Sequence, residues 1–210
     1  MSQAEMFDIW DREGRRIGTA SRQEAHERGL WHRTFQCWIY GKDDGGGTCL
    51  LFQLRHAGKD TFPGLLDISC AGHLLAGETA ADGVRELAEE LGIEAAFAEL
   101  TPCGVYEAVQ ELANGWIDRE FCHVFVLERS LPLAAYRLQP EEVAGLYRVK
   151  LADVERMLDG EDISVSGVAL RPDGTLADDT RSVNARHFVP HDRAYYGMVL
   201  KTLAGLGVAD

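Results

Sequence analysis

The sequence predicts an α/β fold, a mixed β-sheet packed between helices. Two observations carry this. Short apolar stretches recur along the chain and are separated by Gly-, Pro- and Asp-containing turns, as strands would be. Helical signals are few and lie far apart. No repeat, low-complexity tract or linker divides the 210 residues, so one domain over 1–210 is expected. Its core should span about 32–160, with additions at both ends.

The elements follow in order. Met6 to Trp10 and Arg15 to Thr19 flank the turn Asp11-Arg12-Glu13-Gly14 and predict an N-terminal β-hairpin. Ser21-Arg22-Gln23-Glu24 is a capping box and Gly29 a C-terminal stop, which predicts a short helix over 22–28. Thr34 to Tyr40 and Cys49 to Leu54 read as strands joined by the Gly45-Gly46-Gly47 loop. Phe62-Pro63-Gly64 turns the chain into a short strand over 66–70. Thr79 to Asp82 reads as a second capping box, which predicts a helix from about 80 to 91 that stops at Gly92. Further strands are expected near 97–108, 116–127 and 145–150, a short helix over 153–158, and a hairpin over 163–177 turning at Pro172-Asp173-Gly174. Tyr195, Val199, Leu203 and Leu206 recur at helical spacing and predict a closing C-terminal helix.

Charge and composition narrow the function. The net charge of -13 argues against a nucleic-acid duplex as partner, since phosphate backbones are bound by surplus Lys and Arg. Small phosphorylated substrates stay open, because a divalent cation can bridge two negative partners. The five cysteines, at 37, 49, 70, 103 and 122, have no close spacing, so a reducing cytoplasm is expected. Cys70, Cys103 and Cys122 read as buried small hydrophobes. The N-terminal residues have no apolar run, and no segment approaches the ~20 apolar residues that span a membrane.

On the helix over 80–91, Val84, Leu87, Ala88 and Leu91 form one packing stripe, while Glu86, Glu89 and Glu90 share another face. Like charges at this spacing repel by a few tenths of a kcal/mol, and a cation between them reverses the sign. All-oxygen ligands of high charge suit Mg²⁺ or Mn²⁺. A solvated acidic face is the plain alternative for such a helix in isolation.

The surrounding residues favour the metal site. Gly72-His73-Leu74-Leu75-Ala76-Gly77-Glu78, followed by Arg85-Glu86-Leu87-Ala88-Glu89-Glu90-Leu91-Gly92-Ile93, resembles the Nudix box, G-x5-E-x7-R-E-U-x-E-E-x-G-U with U aliphatic. The resemblance implies a Nudix-like α/β/α sandwich, Mg²⁺ or Mn²⁺ held by Glu86, Glu89 and Glu90, Arg85 orienting one of them, and Glu78 in support. Six residues separate Glu78 from Arg85 where the family has seven. A deletion inside a helix turns everything before it by about 100°. The three glutamates lie beyond it, so they are unaffected, and the part of Glu78 is placed in doubt.

A second constellation joins His26, His32 and His73 with Asp118 and Glu120, two residues that alternate along a strand and so face one way. Imidazole and carboxylate together suit Zn²⁺, Mn²⁺ or Fe, although each histidine alone reads as a core-edge residue. The set resembles isopentenyl diphosphate isomerase, itself built on the Nudix fold, in which corresponding residues hold a metal. Arg55 and Lys59 ahead of Pro63-Gly64 match its diphosphate-binding pair. The resemblance covers roughly 5–160. It departs at Ala71, where the isomerase needs a Cys before Gly-His, and at Asp118, where the isomerase has Glu. Glu86 and Glu89 are acidic here and not in the isomerase.

These resemblances imply metal-dependent hydrolysis of a small nucleotide- or isoprenoid-type diphosphate, with Arg85, Glu89, Glu90 and Glu120 in the catalytic machinery. Glu120 is the first candidate for general base, ahead of Glu89 or Glu90, with Glu107 and Glu111 weaker. The rival readings are an isomerase and a non-catalytic nucleotide-binding module. Trp31, Trp38, Trp116 and Tyr106 read as core packing more than as a stacking surface. Relatives in the family often dimerise, but no exposed heptad or long apolar strand argues for a homodimer.

Overall fold

The computed structural model describes residues 5–43, 45–112 and 114–208. The hairpin forms from β1 (Met6–Trp10) and β2 (Arg16–Ser21), and α1 (Arg22–Arg28) follows directly. The Ser21 hydroxyl accepts the Glu24 amide at 3.2 Å, and Gly29 ends α1 in the left-handed region at φ 60°. The chain continues through β3 (Trp31–Lys42), β4 (Thr48–Arg55), β5 (Leu66–Asp67), β6 (Cys70–His73) and α2 (Arg85–Leu91). Next come β7 (Thr101–Glu111), β8 (Ile117–Glu128), β9 (Val143–Lys150), α3 (Leu151–Leu158), β10 (Ile163–Leu170), β11 (Leu176–Val183) and α4 (Arg193–Gly205).

β3 is the spine of the sheet. Its Trp31–Tyr40 run pairs in parallel with Arg119–Glu128 of β8. Its other edge pairs antiparallel with β6, over Thr34–Cys37, and then with β4. β7 lies outside β8, and β9, β10 and β11 extend the sheet beyond β4. α3 and α4 cover one face, where Val154, Met157, Tyr195, Val199 and Leu203 meet Trp38, Phe52 and Tyr147. On the other face, Leu87 and Leu91 of α2 bury against Phe35, Cys37 and Cys70. The result is the expected α/β/α sandwich.

Several local expectations are corrected. The 66–70 strand breaks in two, because the Ser69 hydroxyl donates to Leu51 O and accepts the Ile39 amide, so it takes backbone bonds between β5 and β6. The helix expected from 80 becomes regular only at Arg85, after a 3₁₀ turn over Asp82–Val84. At its start the Asp82 carboxylate accepts the Thr79 amide, as in a capping box, but the Thr79 hydroxyl donates to the same carboxylate instead of accepting the Asp82 amide. Gly83 packs so closely on Phe35 and Leu74 that a Cβ there would collide with both. This tight turn absorbs the missing spacer residue. Ala88 is exposed and the carboxylate-bearing Glu90 is buried, so the packing stripe is narrower than predicted. The strand near 97–108 begins only at Thr101, and the C-terminal hairpin extends to Val183. Leu206 is 46% exposed, and Tyr196 takes its place in the core.

Candidate metal and diphosphate site

A cleft of about 590 Å³ is lined by residues of β3, β6, β8, α2 and α4. Glu86, Glu89, Glu90, Asp118, Glu120 and His73 line it, as do Arg55 and Lys59. His26 and His32 stand behind the wall, at 4% and 0% exposure.

Arg85 organises the α2 side. Its Nε and Nη2 donate to Glu78 at 2.8 and 3.0 Å, and its Nη1 donates to Glu86 at 2.6 Å and Glu89 at 3.0 Å. Nη2 also reaches His73 O at 3.2 Å. Glu78 therefore keeps a supporting place despite the short spacer, since the 3₁₀ turn restores its reach. Gly72 lies directly under Glu86, and a Cβ there would collide with the carboxylate. Glu90 is buried, and its Oε2 accepts weakly from Gln53 Nε2 and Ala71 N, both at 3.4 Å. Burial pushes the Glu90 carboxyl up to about 8, and the charge of Glu86 adds to it. Burial likewise raises Glu86 to about 7 against the pull of Arg85. One buried and one half-buried carboxylate with raised pKa values are a pair that a divalent cation would neutralise.

The opposite side gathers the histidines. α1 supplies His26, β3 supplies His32, β6 supplies His73, and β8 supplies Asp118 and Glu120 on one face. The Nε2 atoms of His26 and His32 lie 3.5 and 3.4 Å from Asp118 Oδ1, and His73 Nε2 lies 3.7 Å from Glu120 Oε1. These four atoms, the three Nε2 and Asp118 Oδ1, are buried and have no hydrogen-bond partner. His32 Nδ1 donates to Leu30 O at 3.0 Å, which leaves the Nε2 lone pair directed inward. Burial lowers the His32 pKa and, together with His32, drives that of His73 well down, so both rings are neutral. Burial and the charge of Asp118 push the Glu120 carboxyl well up. The His32 Nε2 lone pair thus faces Asp118 Oδ1 at 3.4 Å, close to the ~3.0–3.4 Å separation that ligands ~2.1 Å from one metal ion would show. Phe7 stacks on His73 and His32, with centroids 4.6 and 5.1 Å apart, and keeps water from the rings.

The remaining predicted residues divide. Arg55 and Lys59 reach the cleft but already hold partners, Asp67 at 2.9 Å and Glu142 respectively. Glu107 and Glu111 are exposed on the face of β7 opposite to the cleft-lining Tyr106, Ala108 and Gln110. Cys70 is buried on the α2 side, whereas Ala71 lines the cleft. Trp31 and Trp38 are core residues, Trp116 stacks on His26 at 6.0 Å, and Tyr106 lines the cleft. Cys122 is buried and donates to Glu120 Oε2 at 3.3 Å, while Cys103 is half-buried; all five thiols are free. Sequence reasoning missed Asp67, His191 and Tyr195, which also line the cleft. Among the described residues, no helix is long and apolar enough to cross a membrane.

Comparison with known proteins gives the family. Residues 30–166 match the NUDIX domain family. An uncharacterized Nudix hydrolase of Clostridium acetobutylicum is 41% identical over 95% of this chain and 97% of its own. An isopentenyl-diphosphate Delta-isomerase of Cereibacter sphaeroides is 36% identical over 67% of this chain and 76% of its own. A Deinococcus radiodurans protein of known crystal structure shares the fold, with a TM-score of 0.55 at 19% identity over 75% of this chain and 91% of its own. This chain belongs to the Nudix hydrolases, a family of enzymes acting on diphosphate bonds, and resembles in particular the isopentenyl-diphosphate isomerases within that fold.

Proposed function

We propose that the protein hydrolyses a small-molecule diphosphate with Mg²⁺ or Mn²⁺ bound in the cleft. The carrying observation is an intact Arg85-Glu86-x-x-Glu89-Glu90 set lining the cleft, with four orphaned, buried donor atoms at and behind its opposite wall. Glu86, Glu89 and Glu90 would hold one group of ions, and His26, His32, His73, Asp118 and Glu120 would hold another. Both donor sets fit: the first carries carboxylates with raised pKa values, and the second holds four buried donor atoms without a hydrogen-bond partner. When bound, the ions would offset the diphosphate charge and make a water more acidic. Arg85 fixes the glutamate rotamers through its fork. Arg55 and Lys59 grip phosphate oxygens, with Lys59 exchanging Glu142 for substrate. Glu120, which lines the cleft beside the glutamate set, takes the proton from the attacking water. The five free thiols suit a reducing, cytoplasmic setting.

The histidine cluster favours one second reading, an isomerase. Against it stands Ala71, which presents a methyl group to the cleft, while the thiol of Cys70 is turned into the core beneath α2. A non-catalytic module is disfavoured by the complete Arg-Glu-x-x-Glu-Glu set. The test is a panel of nucleoside, sugar, coenzyme and isoprenoid diphosphates, assayed for phosphate-containing products with Mg²⁺ and with Mn²⁺. Cleavage of at least one is expected. Isomerisation of isopentenyl diphosphate without cleavage of any panel member would overturn the reading.

A further inference from the structure

The segment after β11 lies outside the matched NUDIX region, yet it builds one wall of the cleft. Phe188 bridges to Leu66 of β5 and packs edge-on against Phe52, with centroids 5.2 Å apart. Val189 N donates to Leu66 O at 2.8 Å. The His191 ring stacks on Tyr195 at 4.8 Å. Tyr195 is itself fixed, since its hydroxyl donates to Gln36 Oε1 at 2.6 Å and accepts from Trp38 Nε1 at 3.1 Å. His191 is thus held on a rigid support and aimed at one group, with its Nε2 2.9 Å from Asp67 Oδ1.

Asp67 is buried and fully occupied. Its Oδ1 also accepts the Ile68 amide at 2.8 Å, and its Oδ2 accepts Arg55 Nη1 at 2.9 Å. Burial alone would raise its pKa, but the hydrogen bond and charge of His191, with the charge of Arg55, hold it below the ordinary value. The carboxyl is therefore ionised, and the His191 Nε2–H donates to it. Arg55 is clamped on its other edge, where Nε donates to Thr61 O and Nη2 to Thr61 Oγ1, both at 3.0 Å. These bonds fix the plane of the guanidinium and leave its remaining N–H donors for the cleft it lines.

We propose that His191 is a positioning residue for diphosphate binding: it holds Asp67, which holds Arg55 in the plane that receives the phosphate. This rests on the reading of Arg55 as a phosphate ligand. The C-terminal segment is then part of the binding site as well as a cover for the sheet. Without His191, Asp67 Oδ1 loses a charge-assisted partner, and the carboxylate can turn and carry Arg55 with it. The amide of a glutamine can replace Nε2, whereas that of an asparagine is too short to do so.

The test is calorimetric binding of methylenediphosphonate with Mg²⁺ to the full chain. Wild type is compared with Arg55→Gln, His191→Ala, His191→Gln and His191→Asn, and the melting temperature of each is recorded. Arg55→Gln and His191→Ala should weaken binding about tenfold, the loss of one charge-assisted hydrogen bond. His191→Gln should stay within about threefold of wild type, and His191→Asn should follow His191→Ala. If His191→Ala does not fold, the glutamine and asparagine variants carry the comparison. Wild-type binding in His191→Ala or His191→Asn, beside weakened Arg55→Gln, would overturn the proposal and leave the phosphate grip standing. Unchanged binding in Arg55→Gln, or no binding by wild type, would overturn the grip itself and the proposal with it.

Discussion

The two sides of the cleft solve the same problem in opposite ways. On the α2 side, the charges are already answered within the chain. Arg85 engages Glu78, Glu86 and Glu89 at once, and only Glu90 depends on weak neutral donors. On the β8 side three imidazole nitrogens and Asp118 Oδ1 are buried without a hydrogen-bond partner. Unsatisfied buried groups cost about 1–3 kcal/mol each, so such a cluster is stable only with a cation or protons among it. In the proposed function, the α2 side would hold ions and release them, and the histidine side would act as a closed socket for one ion.

The largest effect should come from the buried member of the α2 set. Glu90→Gln is expected to lower kcat by about a thousandfold, measured on whichever diphosphate is cleaved. It should not destabilise the metal-free protein near neutral pH, because an amide mimics the protonated carboxyl that burial favours there. Retained activity would remove Glu90 from the machinery. A smaller loss, about 10–100-fold in Mn²⁺ affinity or kcat, is expected for Arg85→Lys. A lysine keeps the charge but cannot bridge Glu78, Glu86 and Glu89 together. Full activity in this variant would show that charge alone suffices.

The smallest effect is a pH dependence of stability. In the folded, metal-free protein Glu86 and Glu90 titrate at about 7 and about 8, against an ordinary value of 4.5. The folded state then binds protons that the unfolded state has released, so stability falls as pH rises through this window. The neutral, buried His32 and His73 act in the opposite sense, but only below their ordinary 6.5, where the unfolded chain would protonate them. Between pH 6.5 and 8 the raised carboxyls, Glu120 among them, set the slope. The melting temperature in EDTA should fall by a few degrees across that range, an order of magnitude for about 1 kcal/mol. Mg²⁺ should abolish the slope. A flat profile in EDTA would mean that the pair is solvated.

What could be read in advance was local. Ser21 and Gly29 bound α1 by their own conformational preferences, and Arg85 to Ile93 carry a pattern that fixes type and spacing together. Asp118 and Glu120 share a face because strands alternate. The unread features depend on partners distant in the chain. Gly83 is required by the surface of Phe35, the break at Ser69 by the backbone of β3 and β4, and the Asp67–His191 bond joins residues 124 positions apart. Glu78 was doubted because a spacer count cannot show that a 3₁₀ turn restores its reach to Arg85. Ala88 and Leu206 follow the helical period, yet both are exposed. Periodicity marks a face that can be buried, and the neighbours decide whether it is.

The contrast between the two sides is tested most directly by counting metal. Wild type and a His26→Ala/His32→Ala variant would be stripped with EDTA, dialysed against micromolar Mn²⁺ and analysed for bound metal per chain, with folding checked by circular dichroism. The variant should carry one equivalent less than wild type and keep the ions of the glutamate set. Equal metal content in the two proteins would show that the histidine cluster is packing alone.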